Sequence, residues 1–161
     1  MLPLIILAGP TTSKKSDTAI ALAEKLKGEI ISADSMQIYK YFDIGTAKAS
    51  PEKRVRIPHH LVDILEPDEE FTAFDFKIRA LKHIRELIGR SKVPIVTGGT
   101  GLYLKALRED YECAVQINSE IKKQVQCEIH SKGLSLMHNE LRQIDPASAG
   151  RISPLDTQRI E

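Results

Sequence analysis

The sequence has few of the residues that build disulfide frameworks or structural metal sites. Only two cysteines, Cys113 and Cys127, occur among its 161 residues, with no CxxC pair and no neighbouring cluster of metal ligands. A disulfide scaffold or a zinc site is therefore not expected. This cysteine usage fits a reducing, cytoplasmic localisation.

Two further features are missing, an excess of charge and a long apolar run. The 23 Lys and Arg residues nearly balance the 22 Asp and Glu residues, so any nucleic acid must be bound by a local patch. The apolar run at residues 3–8 is too short to span a membrane, lacks a basic segment before it and ends in a glycine loop. A buried strand is expected there, with no signal peptide and no membrane partner. The 42% of apolar residues suffice for a packed globular core.

Four short apolar runs alternate with helical patterns. The runs PLIILA (3–8), EIISA (29–33), HLVDIL (60–65) and VPIVTGG (93–99) predict strands. Strands that alternate with helices indicate an α/β fold, a parallel sheet with helices on both faces.

Helical periodicity fills the segments between these runs. The first predicted helix ends at a Gly28 cap and has an apolar stripe of Ala19, Leu22, Ala23 and Leu26. A capping box at Thr72 and Asp75 predicts a second helix that reaches about Gly89. Its expected inward face consists of Phe74, Ile78, Leu81, Ile84 and Ile88.

The character of the chain changes after Arg108. NSEIKKQVQCEIHSKG and LSLMHNELRQIDP each predict a helix, the second stopped by Asp145 and Pro146. We therefore expect a catalytic α/β core at 1–110 and a partial α-helical insertion domain at 111–161. The final RISPLDTQRIE ends in mid-pattern without a cap or a polar tail, which predicts a fragment or a truncated reading frame.

The stretch GPTTSKKS (9–16) nearly matches a phosphate-binding loop, G-x-x-x-x-G-K-[ST]. Because it follows a predicted strand and precedes a predicted helix, the expected fold is a P-loop NTPase-like parallel sheet with flanking helices. In such loops backbone N–H groups and a helix N-terminus surround phosphate oxygens. Lys15 would bind those oxygens, and the Ser16 hydroxyl would bind Mg²⁺. The predicted phosphate-binding residues are Gly9, Pro10, Thr11, Thr12, Ser13, Lys14, Lys15 and Ser16.

Lys14 stands where this loop pattern has its second glycine. A side chain there brings backbone strain of about 1–3 kcal/mol or a steric clash. An ammonium group beside a diphosphate is, in contrast, electrostatically favourable. The sequence leaves the sign of the net effect open.

Two further strand ends carry polar residues. Asp34 follows a strand, where a carboxylate can bind Mg²⁺ or accept a proton, although a turn or cap role is the simpler alternative. Thr100 follows TGG and could offer its hydroxyl to the same crevice, cap a helix, or both. His59 and His60 are adjacent, point in different directions and have no third ligand, so a structural role is expected.

Taken together, five blocks resemble the tRNA isopentenyltransferase (IPP transferase) family, whose members are tRNA dimethylallyltransferases. The blocks are GPTTSKKSDTAIALA, GEIISADSMQIYKYFDIGTAK, PHHLVDIL, FTAFDFKIRAL and VPIVTGGTGLYLKAL, in one order. The resemblance continues in IDPASAGRISPLDTQRIE and covers the N-terminal half of the family, with a degenerate phosphate loop. It implies transfer of a dimethylallyl group from dimethylallyl diphosphate to N6 of the adenosine 3′-adjacent to the anticodon, releasing diphosphate.

The resemblance also implies roles for individual residues. Asp34 would be the catalytic base, and Thr100 would lie in the channel between the adenine and the prenyl donor. Mg²⁺ would be the cofactor, with tRNA and dimethylallyl diphosphate as partners of a monomeric enzyme. The implied tRNA-binding residues are Asp34, Ser35, Met36, Gln37, Lys122, Gln158, Arg159 and Ile160.

Two alternatives stay open at this point. Lys14, Ser153 in place of the family's usual histidine, and a length half that of the family fit a truncated, catalytically impaired remnant. The same loop also serves nucleotide or metabolite kinases, which bind ATP. A kinase predicts an Arg-rich lid, and the sequence has no such segment.

Overall fold

The computed structural model of the chain describes residues 3–9, 13–109 and 119–160. The chain divides into two compact units, Met1–Glu112 and Cys113–Glu161. The predicted domain boundary at residues 110–111 lies outside the described residues, so it stays a prediction. Each unit is described below by itself.

The first unit is built on a parallel four-stranded sheet, as predicted. Its strands are β1 (Ile5–Ala8), β2 (Glu29–Ser32), β3 (His59–His60) and β4 (Pro94–Gly98). Their order is β1-β4-β2-β3, and every pairing is parallel. The described strands β2 and β4 are central and almost fully buried, whereas β1 lies at one edge and is half-exposed.

Helices cover both faces of this sheet. They are α1 (Lys15–Leu26), α2 (Pro51–Arg56), α3 (Ala73–Gly89) and α4 (Gly101–Arg108). Successive strand residues point to opposite faces, so Ile30 and Ile95 pack with α1 residues, whereas Ile31 and Val96 pack with Phe76 of α3 and other residues of α3 and α4. The apolar strands are therefore continuous hydrophobic runs because both of their faces are buried.

The predicted strand at 60–65 is wrong beyond its first residue. The backbone leaves the sheet after His60 because Leu61 and Asp63 adopt left-handed conformations, with φ of 59° and 55°. The chain meets its neighbour again at Leu65, in an isolated parallel bridge to Tyr39. The alternating pattern of HLVDIL therefore arises from a folded loop, in which Leu61 and Leu65 are buried.

Helix α3 begins where predicted, but its buried face differs. Thr72 and Asp75 form the full capping box, with both reciprocal hydrogen bonds present. Of the predicted inward residues only Ile84 is buried; Ile78 is 52% exposed and Ile88 39%. The sheet approaches so closely that alanines belong to the buried face, which consists of Ala73, Phe76, Ala80, Ile84 and Leu87.

Helix α1 shows two similar differences. Leu26 is 41% exposed, and Ile20 is buried together with Ala19 and Ala23. The left-handed cap is Lys27, with φ of 51°, so the predicted Gly28 cap is wrong. Gly28 is needed for another reason, because a Cβ there would lie 2.5 Å from the carbonyl oxygen of Val93.

The second unit is helical, with α5 (Ser119–Lys132), α6 (Leu134–Ile144), α7 (Pro146–Ala149) and α8 (Thr157–Ile160). The two helices predicted from the sequence correspond to α5 and α6. Asp145 follows α6 and caps α7, because its side chain accepts a hydrogen bond from the Ser148 N–H. The imidazole of His138 is buried, and its Nε2 lies 3.1 Å from the Ala149 carbonyl oxygen and 3.0 Å from that of Ile152.

Across the described ranges, no helix combines the length and the apolar character that crossing a membrane requires.

Candidate active site

An open cleft of about 480 Å³ lies at the carboxyl ends of the central strands of the first unit. Open α/β sheets bind ligands at this edge. Of the described site residues that the sequence singled out, Ser13, Lys14, Lys15, Ser16, Asp34, Met36 and Gln37 line the cleft, whereas Gly9, Ser35 and Thr100 are not part of its lining. Its walls are formed by Ser13, Lys14, Lys15, Ser16, Asp17, Ile30, Ser32, Asp34, Met36, Gln37, Gly45, Thr46, Ala47, Ala49, His59, Thr97, Gly98 and Gly99.

The phosphate-loop segment enters the cleft at the start of α1. Lys14 precedes this helix in a left-handed conformation, with φ of 57° and ψ of 22°. Glycine adopts that conformation without the Cβ penalty, so the backbone keeps the geometry of the glycine that the loop pattern requires. Pro10, Thr11 and Thr12 lie outside the described residues.

The described ends of this loop come close together. The Lys15 Nζ donates to the Ser13 Oγ at 3.4 Å, and a Cβ on Gly9 would lie 3.3 Å from the same oxygen. The cationic Lys14 and Lys15 and the exposed hydroxyl of Ser16 line one side of the cleft. Mg²⁺ keeps several waters and takes few protein oxygens when it binds with substrate phosphates, so the Ser16 hydroxyl fits such an ion.

Asp34 lies just past the end of β2 and is half-buried. Its Oδ1 accepts hydrogen bonds from the backbone N–H of Met36 at 2.9 Å and of Gln37 at 3.3 Å. This is the turn role that the sequence left open. Within the described part of the chain, Oδ2 accepts no hydrogen bond, so the carboxylate keeps a second oxygen for chemistry in the cleft.

The ends of β2 and β4 are fixed to each other. The Ala33 N–H donates to Thr97 O at 2.8 Å, and the Thr100 N–H donates to Ala33 O at 3.2 Å. The close approach requires a glycine at Gly98, because a Cβ there would lie 2.0 Å from the Ala33 oxygen. Asp34 and Thr100 are thus held beside each other although they are far apart in sequence.

Thr100 is the residue before α4, but its hydroxyl makes no capping hydrogen bond. Its Oγ1 instead accepts the Ser35 N–H at 2.9 Å and donates to the Ser35 Oγ at 3.3 Å. The predicted side-chain capping is therefore wrong. The hydroxyl orients the turn that begins with Asp34.

Other titratable groups nearby have structural roles. The His59 Nδ1 lies 2.6 Å from Ile57 O, and burial lowers the pKa of this histidine. The His60 Nε2 lies 2.8 Å from a carboxylate oxygen of the buried Glu29. Burial raises the pKa of Tyr103 to about 12, which keeps that phenol neutral. The described ranges hold no group of His, Cys, Asp and Glu side chains that could bind a metal by themselves.

Comparison with known proteins identifies the family of this chain. The family model described as IPP transferase matches residues 37–161, which is more than half of the chain. The chain belongs to the IPP transferase family. The family recognised in the sequence is thereby confirmed.

Members of the IPP transferase family are similar to nearly the whole chain. The tRNA dimethylallyltransferase of Alkaliphilus oremlandii is 49% identical over 158 residues, which are 98% of this chain and 50% of that protein. The tRNA dimethylallyltransferase of Geobacter sulfurreducens is 45% identical, over 98% of this chain and 50% of that protein. The chain thus spans about half the length of the curated relatives it matches.

Solved structures of the IPP transferase family share its fold. A eukaryotic dimethylallyltransferase acting on tRNA superimposes with a TM-score of 0.81 at 32% identity, over 99% of this chain and 40% of that one. The tRNA delta(2)-isopentenylpyrophosphate transferase of Staphylococcus epidermidis gives a TM-score of 0.66 at 41% identity, over 99% of this chain and 52% of that one. The parallel sheet with flanking helices is therefore the P-loop-like fold of this family.

The remaining predicted site residues lie in the second unit. Lys122 is exposed on α5 and Arg159 is exposed on α8, where its guanidinium pairs with Asp156 at 3.2 Å. Ile160 is 8% exposed, so its side chain packs inside this unit. The side chain of Gln158 lies outside what the structure describes.

Sequence reasoning missed one group of residues beside the cleft. The Lys48 ammonium is buried among polar partners, where it contacts Asp43 and Asp63, and Arg54 contacts the same Asp63. Hydrogen bonds from Lys48 and Arg54 outweigh the opposing effect of burial and lower the pKa of Asp63. Asp43 and Lys48 lie in one segment, but Asp63 comes from another loop, and no local sequence pattern predicts its pairing with Lys48 and Arg54.

Proposed function

We propose that this chain carries the catalytic half of a tRNA dimethylallyltransferase. Such an enzyme transfers a dimethylallyl group from dimethylallyl diphosphate to N6 of the adenosine 3′-adjacent to the anticodon. One observation carries the proposal: a single cleft is lined both by the phosphate-loop residues Lys14, Lys15 and Ser16 and by the carboxylate of Asp34. A diphosphate and an amine nucleophile can therefore meet in it.

The reaction needs a base and a site for the leaving group. A bond forms between N6 and the first carbon of the dimethylallyl group while the bond from that carbon to the diphosphate oxygen breaks. The exocyclic amine is a poor nucleophile because its lone pair is delocalised, so removal of its proton assists the attack. Asp34 would accept that proton on Oδ2, since Oδ1 is engaged with the turn.

The diphosphate would be bound at the start of α1. Lys15, Lys14 and the backbone N–H groups there stabilise the negative charge that develops on the leaving group. Mg²⁺, when bound, would neutralise part of the same charge, and Ser16 would hold it. Gly9, Pro10, Thr11, Thr12 and Ser13 complete the proposed phosphate site.

The RNA would reach the cleft from the other side. Ser35, Met36 and Gln37 would lie next to the adenine, which must leave its stack to be reached. Thr100 would lie between the adenine and the prenyl donor. In the second unit, Lys122, Gln158, Arg159 and Ile160 remain proposed tRNA-binding positions of a cytoplasmic, monomeric enzyme.

The test is transfer of labelled dimethylallyl diphosphate to unmodified tRNA, by the purified chain alone and together with the separately expressed C-terminal half of the Alkaliphilus oremlandii relative. We expect Asp34→Asn to lower the rate by at least about 10²-fold, the scale of general-base catalysis. The matched control is Asp68→Asn, which alters an exposed turn carboxylate far along the chain.

Three results would each contradict a different part of the proposal. A wild-type rate in Asp34→Asn would remove Asp34 from the mechanism. Binding of dimethylallyl diphosphate without transfer in either arm would identify a non-catalytic remnant. Transfer of the ATP γ-phosphoryl group to an acceptor molecule with release of ADP, without prenyl transfer, would identify a kinase.

A further inference from the structure

One wall of the cleft has no helix or strand of its own. Residues 43–48 are here called the cleft wall, and Gly45, Thr46 and Ala47 of this wall line the cleft. Gly45 and Ala47 adopt left-handed conformations, with φ of 79° and 51°. A segment of this kind keeps one shape only if side chains hold it from outside.

The first side chain that holds the cleft wall is that of Gln37, through its carboxamide. Its Nε2 donates to Thr46 O at 3.0 Å and to Ala47 O at 3.4 Å, and its Oε1 accepts from the Ser32 Oγ at 2.9 Å. Both amide hydrogens of Gln37 are thus used inside the chain. The Nε2 group of Gln37 could therefore donate to an adenine only if its bonds to the cleft wall were broken.

The second side chain that holds the cleft wall is that of Lys48, through its ammonium. The side chain is 4% exposed, and its Nζ donates to Asp63 Oδ1 at 2.7 Å and to Asp43 Oδ1 at 3.0 Å. It also donates to Tyr39 O at 2.7 Å. An ammonium has three hydrogens. Two of those of Lys48 join the cleft wall to Asp63, in the loop after β3, and to Tyr39, in the turn after Gln37, and the third bonds Asp43 within the wall itself.

We propose that Lys48 is a positioning residue for the RNA side of this cleft. It fixes the end of the cleft wall, so that Gln37 holds the wall instead of reading a base, and the pocket for the adenine is shaped before RNA arrives. The proposal rests on the proposed function for the identity of the RNA. Its structural part concerns only the order of the cleft wall.

The diphosphate side supplies a contrast within the same cleft. Lys14, Lys15 and Ser16 belong to a segment that neither Lys48 nor Gln37 contacts through a hydrogen bond described here. Loss of the Lys48 ammonium should therefore weaken RNA binding and leave diphosphate binding unchanged. A general loss of stability would weaken both.

The experiment compares Lys48→Met with Lys48→Arg and with a matched control, Lys40→Met. Lys40 borders the same neighbouring cavity of about 540 Å³ as Lys48. Its ammonium is bonded to Glu66 at 2.6 Å, and its side chain is 40% exposed. Lys48→Gln, which keeps one amide donor, decides the question if Lys48→Met does not fold.

Three quantities are measured on the full chain: ¹⁵N order parameters at Gly45, Thr46 and Ala47, the Kd for inorganic diphosphate, and the Kd for an unmodified anticodon stem-loop RNA. In Lys48→Met we expect order parameters to fall from about 0.85 to below about 0.6. The RNA Kd should rise about tenfold because binding must then order the wall, while the diphosphate Kd stays within about twofold. Lys48→Arg should keep the order parameters and the RNA Kd closer to their wild-type values than Lys48→Met does. Lys40→Met should change neither quantity.

Unchanged order parameters in Lys48→Met would overturn the proposal, and so would an equal loss of RNA and diphosphate affinity. A chain in which the wild type binds no stem-loop RNA would contradict the proposed function. The order parameters would still decide whether Lys48 holds the cleft wall, so the two failures are distinguishable.

Discussion

At the scale of single residues, Lys14 adopts a left-handed conformation that a glycine would adopt without strain. The residue lies in the left-handed region, where an L side chain is strained by contact between its Cβ and the next carbonyl oxygen. The ammonium group of Lys14 is exposed and lines the cleft. Strain and charge are therefore separable properties of one residue.

Lys14→Gly should raise the free energy of unfolding by about 0.5–1 kcal/mol, because relief of the left-handed strain exceeds the added freedom of the unfolded chain. Lys14→Ala keeps the Cβ and removes only the charge, so it should give no gain. Chemical denaturation followed by circular dichroism measures both variants. Equal stabilities of the two variants would contradict a backbone origin.

Thr100→Val tests the contact between the two strand ends. The substitution preserves shape but leaves the Ser35 N–H without the oxygen that it now contacts at 2.9 Å. An unsatisfied, partly buried donor costs about 1–2 kcal/mol, so Thr100→Val should be less stable than the wild type by that amount. Thr100→Ser keeps the hydroxyl and should be nearly as stable as the wild type. Thermal unfolding of the three proteins provides the measurement, and a wild-type Tm for Thr100→Val would show that the hydroxyl is dispensable.

At the scale of elements, Gly98 and Gly99 form a matched pair of adjacent glycines. A Cβ on Gly98 would lie 2.0 Å from Ala33 O, whereas one on Gly99 would meet nothing within 4 Å. Gly98→Ala should therefore separate the ends of β2 and β4 and cost about 2–3 kcal/mol, the scale of overpacking. Gly99→Ala should change the free energy of unfolding by less than about 0.5 kcal/mol. If denaturant titrations show that the two variants lose similar stability, the contact between Gly98 and Ala33 is not the cause.

The elements that the sequence predicted correctly are those with local causes. Short apolar runs correspond to β1, β2 and β4, and the Thr72–Asp75 box marks the start of α3. Such signals act over a few residues, so they can be recognised without knowledge of the packing.

The errors have causes that lie far along the chain. The buried face of α3 depends on how closely the sheet approaches, which makes Ala80 part of the core and leaves Ile78 exposed. The strand β3 stops early while Asp63, just beyond it, pairs with Lys48 and Arg54. The role of the Gln37 amide likewise depends on a loop that returns nine residues later. Periodicity carries no information about contacts of this kind.

At the scale of the whole molecule, hydrogen-bonded carboxylates make the first unit sensitive to acid. Burial alone would raise the pKa of Glu29, but hydrogen bonds and charge from His60 and Arg90 outweigh it and lower that pKa below its ordinary value of 4.5. The pKa of Asp63 is lowered in the same way, and the hydrogen bond from Thr72 lowers that of Asp75.

Each of these groups has a lower pKa in the folded chain than in the unfolded one, so the unfolded chain takes up protons first. Their stabilisation is complete above the unfolded pKa values and is lost as the pH falls through the folded ones. We expect the free energy of unfolding to decrease steadily below about pH 4.5. Glu29→Gln should lower the free energy of unfolding by about 2 kcal/mol at pH 7. It should also make the fall of that free energy at acid pH less steep.

Denaturant titrations from neutral to acid pH measure this dependence. Glu24→Gln is the matched control, because Glu24 forms its ion pair with Arg56 on the exposed surface. If the free energy of unfolding of Glu29→Gln falls with acid pH as steeply as that of the wild type, Glu29 does not contribute to the pH dependence.

The position of β1 bears on how the chain behaves in concentrated solution. Among the described strands β1 is the edge strand beside β4, and its four residues, IILA, carry no charge that would repel a second copy. Unprotected apolar edges act as templates for intermolecular pairing. We therefore expect any self-association of the isolated chain to proceed by strand pairing along this edge, which the nearly neutral net charge does little to oppose.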